Sequence, residues 1–196
     1  MAHRFTIYII NVLLLVTIAG CRRDPLKVDI SGIAIEMPVH RFDRELFTMD
    51  FDTINDAIGY FYERYGDFYD IFNVHVINIG PASQKYYGSY LSMFVNDPSN
   101  QAVYEDVQEL FPDMEHTEEI LTDAFRRYVY HFPDSVPPVL VGYVSGFNHK
   151  LFTVGNYIGI GLDQYLGRTS PYYDMLRVPK YLQYNQHPGK IPSDVV

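Results

Sequence analysis

The feature that most restricts what this chain can fold into is a short apolar run that ends at its only cysteine. Residues 1–4 form a polar start with one firm positive charge, and residues 5–18 are almost wholly apolar. This run is shorter than the roughly 20 apolar residues that a membrane-spanning helix needs. It has the size of a signal-peptide core, and the small residues Ala19 and Gly20 follow it at the place of a cleavage site. We therefore expect residues 1–20 to be a signal peptide.

Cys21 follows directly, and the sequence Ile18-Ala19-Gly20-Cys21 resembles the lipobox of bacterial lipoproteins. The resemblance implies diacylation of the Cys21 sulfur, cleavage before Cys21 and acylation of the new amino terminus. Each buried CH₂ of an acyl chain contributes about 0.8 kcal/mol, and two or more chains give stable anchoring. The alternative is an ordinary signal peptide or membrane anchor with an incidental cysteine.

Composition limits what the rest of the chain can be. Hydrophobic residues make up 47% of the chain and charged residues 20%, which predicts a globular domain, placed here at residues 30–196. Residues 21–29 form a charged tether that reaches less than about 30 Å at roughly 3.3 Å per residue. The formal net charge of −9 argues against nucleic acid as a partner and against adhesion to anionic headgroups. Acylation of Cys21 would leave no thiol for disulfides, catalysis or metals, and membrane attachment would rest on the lipid alone.

Apolar spacing predicts the elements of the first half of the domain. Alternation predicts a strand over residues 28–37, with a bulge at Ser31-Gly32, and residues 40–47 fit a short solvated helical turn. Apolar residues at helical spacing then predict five helices. They are expected at residues 54–65, 68–79, 87–95, 98–111 and 117–132. His75 falls on the apolar face of the second of these, where a core histidine is a simpler interpretation than a ligand.

The pattern changes after Pro137-Pro138. Residues 139–145 form a continuous β-branched run typical of a buried strand, and residues 150–154 and 157–162 flank Gly155-Asn156, a hairpin signal. Residues 170–176 then fit a short helix. Helices followed by a small antiparallel β-meander predict the α+β class. Residues 161–167 fit a turn whose Asp163 caps local backbone N–H groups.

The sequence contains none of the common catalytic motifs. It lacks the H-E-x-x-H zinc helix and the phosphate loop, and the serine of residues 142–146 stands one place too late for G-x-S-x-G. We therefore predict no catalytic residue, no cofactor and no metal ligand within this chain.

Three tracts nevertheless carry a family resemblance. They are Tyr130-His131-Phe132-Pro133, Ser145-Gly146-Phe147-Asn148 and residues 158–167. With Arg41-Phe42-Asp43 and Pro179-Lys180-Tyr181 they resemble the GldB-type gliding-motility lipoproteins of Gram-negative envelopes, over most of the chain from Cys21 onwards. The resemblance implies a role in the envelope machinery for gliding and associated secretion, without an established catalytic activity. The motif positions to which it gives no role are Ser145, Gly146, Phe147, Asn148, Gly159, Gly161, Asp163, Tyr165 and Gly167.

Such domains also show a distant similarity to zinc peptidases of the zincin type, in which helices and a small sheet precede the metal-binding helix. In that comparison residues 139–162 lie beside the cleft and the metal helix begins near Ser193, of which this chain supplies none. Residues 192–196 have the pattern of a helix's first turn. We therefore expect the chain to stop short of its natural end, with a frayed terminus as the alternative.

Three functional hypotheses follow. The first is a non-enzymatic lipoprotein, anchored through Cys21 to the inner or outer membrane with a periplasmic domain, that binds protein partners in a motility complex. The second is the N-terminal part of a zincin-like peptidase whose catalytic helix lies beyond residue 196. The third is a binding lipoprotein unrelated to motility.

Overall fold

The structure is a computed structural model that describes residues 28–50 and 54–196. The expected signal peptide, Cys21 and most of the expected tether lie outside the described residues. The chain divides into residues 1–32 and a compact unit of residues 33–196. Within the described part of the first, the Asp29 carboxylate accepts hydrogen bonds from the backbone N–H and the hydroxyl of Ser31, at 3.0 and 2.7 Å.

The compact unit combines four short strands with nine α-helices among the described residues. In chain order these are β1 (Val39–Arg41), α1 (Phe42–Phe47), α2 (Ile54–Tyr65), α3 (Asp67–Ile71), α4 (Tyr87–Val95), α5 (Pro98–Leu110), α6 (Glu115–His131), β2 (Val139–Tyr143), β3 (Leu151–Val154), β4 (Tyr157–Gly161), α7 (Pro171–Met175), α8 (Lys180–Gln183) and α9 (Ile191–Val195). A π-helical turn (Phe72–Val76) follows α3, and 3₁₀ turns occupy Leu162–Tyr165 and Pro188–Lys190. The α+β class is confirmed.

The sheet is mixed and has the order β1-β2-β4-β3. Strand β4 is parallel to β2 and antiparallel to β3, and β1 is parallel to β2. The predicted hairpin at Gly155-Asn156 is confirmed, but the predicted antiparallel meander is wrong. A meander would place β3 beside β2, whereas here β4 lies between them, because the chain after β2 crosses to the far edge before the hairpin returns.

The predicted strand over residues 28–37 is also wrong, because the backbone there pairs with helix side chains instead of a strand. Arg126 Nε donates to the Ile35 carbonyl at 3.2 Å, and the Met37 N–H donates to Thr122 Oγ1 at 3.0 Å. The Val39 N–H donates to a Glu118 carboxylate oxygen at 2.8 Å. Positions 118, 122 and 126 are four residues apart and share one face of α6, which therefore holds the segment that leads into β1 and the first residue of β1 itself.

The helix predictions hold best where the apolar spacing is regular. Helices α2 and α4 have the predicted bounds, and Asp97 caps α5 by accepting from the N–H groups of Ser99 and Asn100. Helix α6 begins at Glu115, two residues before the predicted start at Thr117. The predicted helix over 68–79 is split between α3 and the π-helical turn.

His75 lies in that π-helical turn and is exposed, so its predicted core position is wrong. A π-helical turn closes hydrogen bonds between residues i and i+5 and changes the rotation per residue. The regular helical spacing that placed His75 on the buried face therefore does not apply to this stretch.

Phe42 lies at the centre of an aromatic core. It is fully buried, and its ring contacts five others at centroid separations between 5.0 and 6.0 Å. The five are Phe61, Tyr65, Phe68, Tyr69 and Phe72. Since four residues of the six-residue helix α1 are buried, the predicted solvated turn over residues 40–47 is helical but not solvated.

Candidate functional site

The family-like tracts after β2 and β4 meet at one end of the sheet. Because β2 and β4 are parallel, with Tyr143 opposite Gly161, the turns that follow them emerge side by side. Ser145 lies in the turn after β2, and Asp163 lies in the 3₁₀ turn after β4. The topology thus brings together two tracts that the sequence keeps apart.

The Asp163 carboxylate holds these two turns together. Its Oδ2 atom accepts from the backbone N–H groups of Ser145 and Phe147 at 2.9 and 2.7 Å, and the Ser145 hydroxyl lies 3.2 Å away. Asp163 therefore does cap backbone N–H groups, but those groups lie 16 and 18 residues earlier in the chain. The prediction that it caps its own turn is wrong.

Asp163 is fully buried, and this determines its ionisation. Burial raises the pKa of its carboxyl to about 6, while the hydrogen bonds from Phe147 and Ser145 act in the opposite direction. Its second oxygen, Oδ1, is buried and has no hydrogen-bond partner among the described residues. The hydrogen bonds therefore offset the effect of burial only in part, and the pKa of the carboxyl stays above its usual value.

The Ser145 hydroxyl is used within the turn. It faces the Asp163 carboxylate and accepts from the backbone N–H groups of Asn148 and His149 at 3.1 and 3.4 Å. The Asn148 side-chain amide donates to the Ser145 carbonyl at 2.9 Å. With Ser145 buried as well, this hydroxyl stabilises a turn and is not presented to a substrate.

Gly146 and Phe147 give the turn its shape. Both have positive φ angles, 69° and 65°. A Cβ at Gly146 would lie 2.9 Å from the Asn100 amide oxygen. The position therefore favours glycine both for its positive φ and for this close approach. The left-handed conformation of Phe147 costs of order 1 kcal/mol, which is offset by its N–H bond to Asp163 and by the Gln164 amide, which donates to its carbonyl at 2.7 Å.

Gly159 and Gly161 allow close packing beside β4. A Cβ at Gly159 would lie 2.6 Å from the Phe152 ring, and one at Gly161 would lie 2.3 Å from the backbone carbonyl oxygen of His149. That same carbonyl accepts a hydrogen bond from the Tyr143 hydroxyl at 2.9 Å. These glycines therefore make room for one side chain and one stretch of backbone.

Tyr165 belongs to a polar cluster beside the turn. Its hydroxyl donates to Asp194 Oδ2 at 3.2 Å, and Lys150 Nζ lies 2.7 Å from the same oxygen and 4.7 Å from the centre of the Tyr165 ring. Burial and the adjacent Asp194 raise the pKa of Tyr165 well above its usual range. The cluster joins the start of β3 to α9.

Gly167, with φ of 99°, donates its N–H to the Gln186 carbonyl at 2.9 Å.

The motif cluster in turn supports helix α7. The Phe147 ring lies against the rings of Tyr172 and Tyr173, at centroid separations of 5.2 and 6.0 Å. The Tyr173 hydroxyl accepts from the Leu166 N–H at 2.9 Å and donates to the Asp163 carbonyl at 3.3 Å. The motif residues thus lie on the inner side of α7, whose outer side is exposed.

The resemblance identified the positions of this cluster, but not all of its members. Tyr143 and Tyr173 each donate a hydrogen bond that holds it, and neither stood out in the sequence. Tyrosine is abundant in this chain, with 18 residues, so no spacing marks these two. Gln164, which donates to the Phe147 carbonyl, lies within the tract 158–167. Cys21, the predicted lipid attachment site, lies outside the described residues.

Two observations bear on other kinds of site. The described residues contain no group of three His, Cys, Asp or Glu side chains suited to holding a metal ion. Among them, too, no helix combines the length and apolar character needed to cross a membrane.

Comparisons with known proteins address the family resemblance directly. No curated protein and no solved structure matches the chain. One family model does match, over residues 23–196, and its description is gliding motility protein GldB. Since the match includes almost all of the chain and every motif position from Ser145 to Gly167, this chain belongs to the GldB family of gliding motility proteins.

Proposed function

We propose that this protein is a non-enzymatic lipoprotein of a Gram-negative cell envelope that supports gliding motility and associated secretion by binding partner proteins. Cys21 would carry the acyl chains, and the domain would lie in the periplasm. Membership of the GldB family is the observation that carries this proposal.

The interior of the motif cluster supports a binding role. Asp163 and Ser145 are the motif residues with the most reactive groups, and both are buried and engaged with turn backbone. Their hydrogen bonds fix the turn beneath α7. The motif therefore serves to hold a surface in place, as expected of a protein that works through contacts.

The position of Cys21 supports the lipid anchor. The family match begins at residue 23, two residues after the cysteine, so the matched region starts where a mature lipoprotein would start. Acyl chains on Cys21 and a tether of about 30 Å would keep the domain close to its membrane. The zinc-peptidase alternative has no supporting observation in the described residues.

The test is a Cys21→Ala variant expressed in a deletion strain. We expect it to lose labelling by a fatty-acid analogue, to leave the membrane fraction and to fail to restore spreading on agar. The control is Ser31→Ala, which alters an exposed turn and should remain labelled and membrane-bound. Unchanged labelling of the Cys21→Ala variant would refute the anchor, and a deletion strain that still spreads would refute the role in motility.

A further inference from the structure

An exposed apolar surface lies on the outer side of α7 and α8. It consists of Met175, Leu176, Tyr181, Leu182 and Tyr184, and we call it the α7–α8 face. Met175 and Tyr181 are each 74% exposed. Single exposed apolar residues are common, but five of them within ten residues of chain indicate a surface that contacts something else.

The fold holds this face outward from beneath. Tyr173, in α7, is fully buried with its hydroxyl bonded to the backbone of Leu166 and Asp163. Gln183, in α8, is buried and its amide donates to Asp174 Oδ1 at 2.9 Å and to the Val178 carbonyl at 2.8 Å. Because these inward residues fix both helices, the apolar residues between them are kept in solvent.

Two arginines that form no ion pair among the described residues flank the face, while the acidic side chains Asp106 and Glu109 of α5 lie at the other side of α7, beside Ser170 and Pro171. Residues 164–190 contain four Lys or Arg residues and one Asp, in a chain with a formal net charge of −9. The Arg168 guanidinium lies 3.9 Å from the centre of the Tyr184 ring, and Arg177 is exposed beside Leu176. Lys180 pairs with Asp174 at 2.6 Å, so Arg168 and Arg177 supply most of the local positive charge.

We propose that the α7–α8 face binds the surface of an anionic phospholipid bilayer. Tyrosine and aliphatic side chains enter the interfacial region of a bilayer, and neighbouring arginines attract its anionic headgroups. The net charge of the chain predicted no adhesion to such headgroups. That prediction rested on the charge of the whole chain, whereas a bilayer would meet the local pair of Arg168 and Arg177.

The face needs only a low affinity for the bilayer if the protein is anchored through Cys21, as proposed above. A tether of about 30 Å confines the domain near the bilayer and gives the face a high effective concentration. The face would then orient the domain relative to the membrane, while the acyl chains hold it there. The two contributions are separable, because they depend on different residues.

The absence of tryptophan from the chain allows a direct test. A Tyr181→Trp variant of the full chain is reconstituted in vesicles of phosphatidylglycerol and phosphatidylethanolamine with brominated acyl chains. We expect its emission to shift to shorter wavelength and to be quenched several-fold more than that of the control. The control is Tyr86→Trp, at an aromatic that is 57% exposed with a Lys85 ammonium 5.3 Å from its ring.

Further quenching measurements test the contribution of the two arginines. Replacing Arg168 and Arg177 by Gln in the Tyr181→Trp background should reduce the quenching. So should neutral phosphatidylcholine vesicles, or about 1 M salt, at which the Debye length falls to about 3 Å. When Cys21→Ala is added to the Tyr181→Trp variant, the quenching should persist at high vesicle concentration. This result would show that the face binds the bilayer without the acyl chains, so the two proposals can fail independently.

Two results would overturn the proposal. Equal quenching of the Tyr181→Trp and Tyr86→Trp variants would show that the face does not contact the bilayer. A shift in the Tyr181→Trp emission that depends on protein concentration in detergent, without quenching in vesicles, would instead assign the face to contact with a second copy of this chain.

Discussion

The carboxylate of Asp163 accepts a hydrogen bond from the backbone N–H of Ser145 over 2.9 Å, although 18 residues separate the two in sequence. Ser145 follows β2 and Asp163 follows β4, so the bond joins the ends of two parallel strands. Between these residues the chain forms the whole β3–β4 hairpin. The bond therefore closes the loop that places β4 at the centre of the sheet.

Removing this carboxylate should destabilise the domain. In Asp163→Ala the N–H groups of Ser145 and Phe147 lose their acceptor, and an unpartnered buried N–H costs about 1–3 kcal/mol. We expect the free energy of unfolding to fall by about 2–4 kcal/mol, measured by urea denaturation. The exposed Asp134→Ala control should change it by less than about 0.5 kcal/mol. A loss of similar size in both variants would contradict the role assigned to Asp163.

The same carboxyl should give stability a distinctive pH dependence. Burial raises its pKa from 3.8 to about 6, so in this range the native state binds a proton that the unfolded chain has released. Its contribution is therefore complete below pH 3.8 and is lost as the pH rises through about 6. As the pH falls from 7 to 5, we therefore expect the free energy of unfolding of the wild type to rise relative to that of Asp163→Asn. Parallel pH profiles of the two proteins would show that Asp163 does not titrate there.

The ion pair of Arg41 and Asp43 should be strongly coupled. Two guanidinium nitrogens of Arg41 lie 2.9 and 2.7 Å from the two oxygens of Asp43, which is fully buried. Asp43→Ala leaves the guanidinium without its carboxylate, and breaking such a pair costs about 3–5 kcal/mol. We expect a double-mutant cycle with Arg41→Met to show a coupling above about 1 kcal/mol.

The exposed pair of Lys180 and Asp174 provides a comparison for this cycle. Its atoms lie 2.6 Å apart, close to the 2.7 Å of the buried pair, but both of its side chains are more than half exposed. We expect Lys180→Gln to change the free energy of unfolding by less than about 1 kcal/mol. Equal losses for the buried and exposed pairs would contradict the importance of burial.

The sequence predicted most of the helices but not the order of the strands. Regular apolar spacing gave the bounds of α2 and α4, and Gly155-Asn156 gave the hairpin, because both signals are local. The side-chain pattern of a buried strand is the same whichever neighbour it pairs with. Nothing local in residues 157–161 therefore indicated that this strand runs parallel to β2.

Long-range contacts explain the errors near the N-terminus and in the site. Residues 35–39 alternate as a strand would, but side chains on α6 replace a partner strand, and no local pattern indicates that. Asp163 was correctly identified as a capping residue, whereas its partners depend on strand order. His75 was misplaced because regular helical spacing does not hold through a π-helical turn.

Gly161 offers a test of how closely the end of β4 is packed. A Cβ there would lie 2.3 Å from the His149 carbonyl oxygen, a backbone atom that also accepts from the Tyr143 hydroxyl. We therefore expect Gly161→Ala to lower the free energy of unfolding by about 1–3 kcal/mol, as overpacking does in a close-packed interior. Gly59→Ala is the matched control, because Gly59 lies inside α2 and a methyl group there would meet no neighbouring side chain within 4 Å. It should stabilise the protein by about 0.5–1 kcal/mol, since alanine favours a helix interior. Thermal and urea unfolding of the two variants should thus shift in opposite directions, and a Gly161→Ala protein as stable as the Gly59→Ala one would contradict the packing at this end of the sheet.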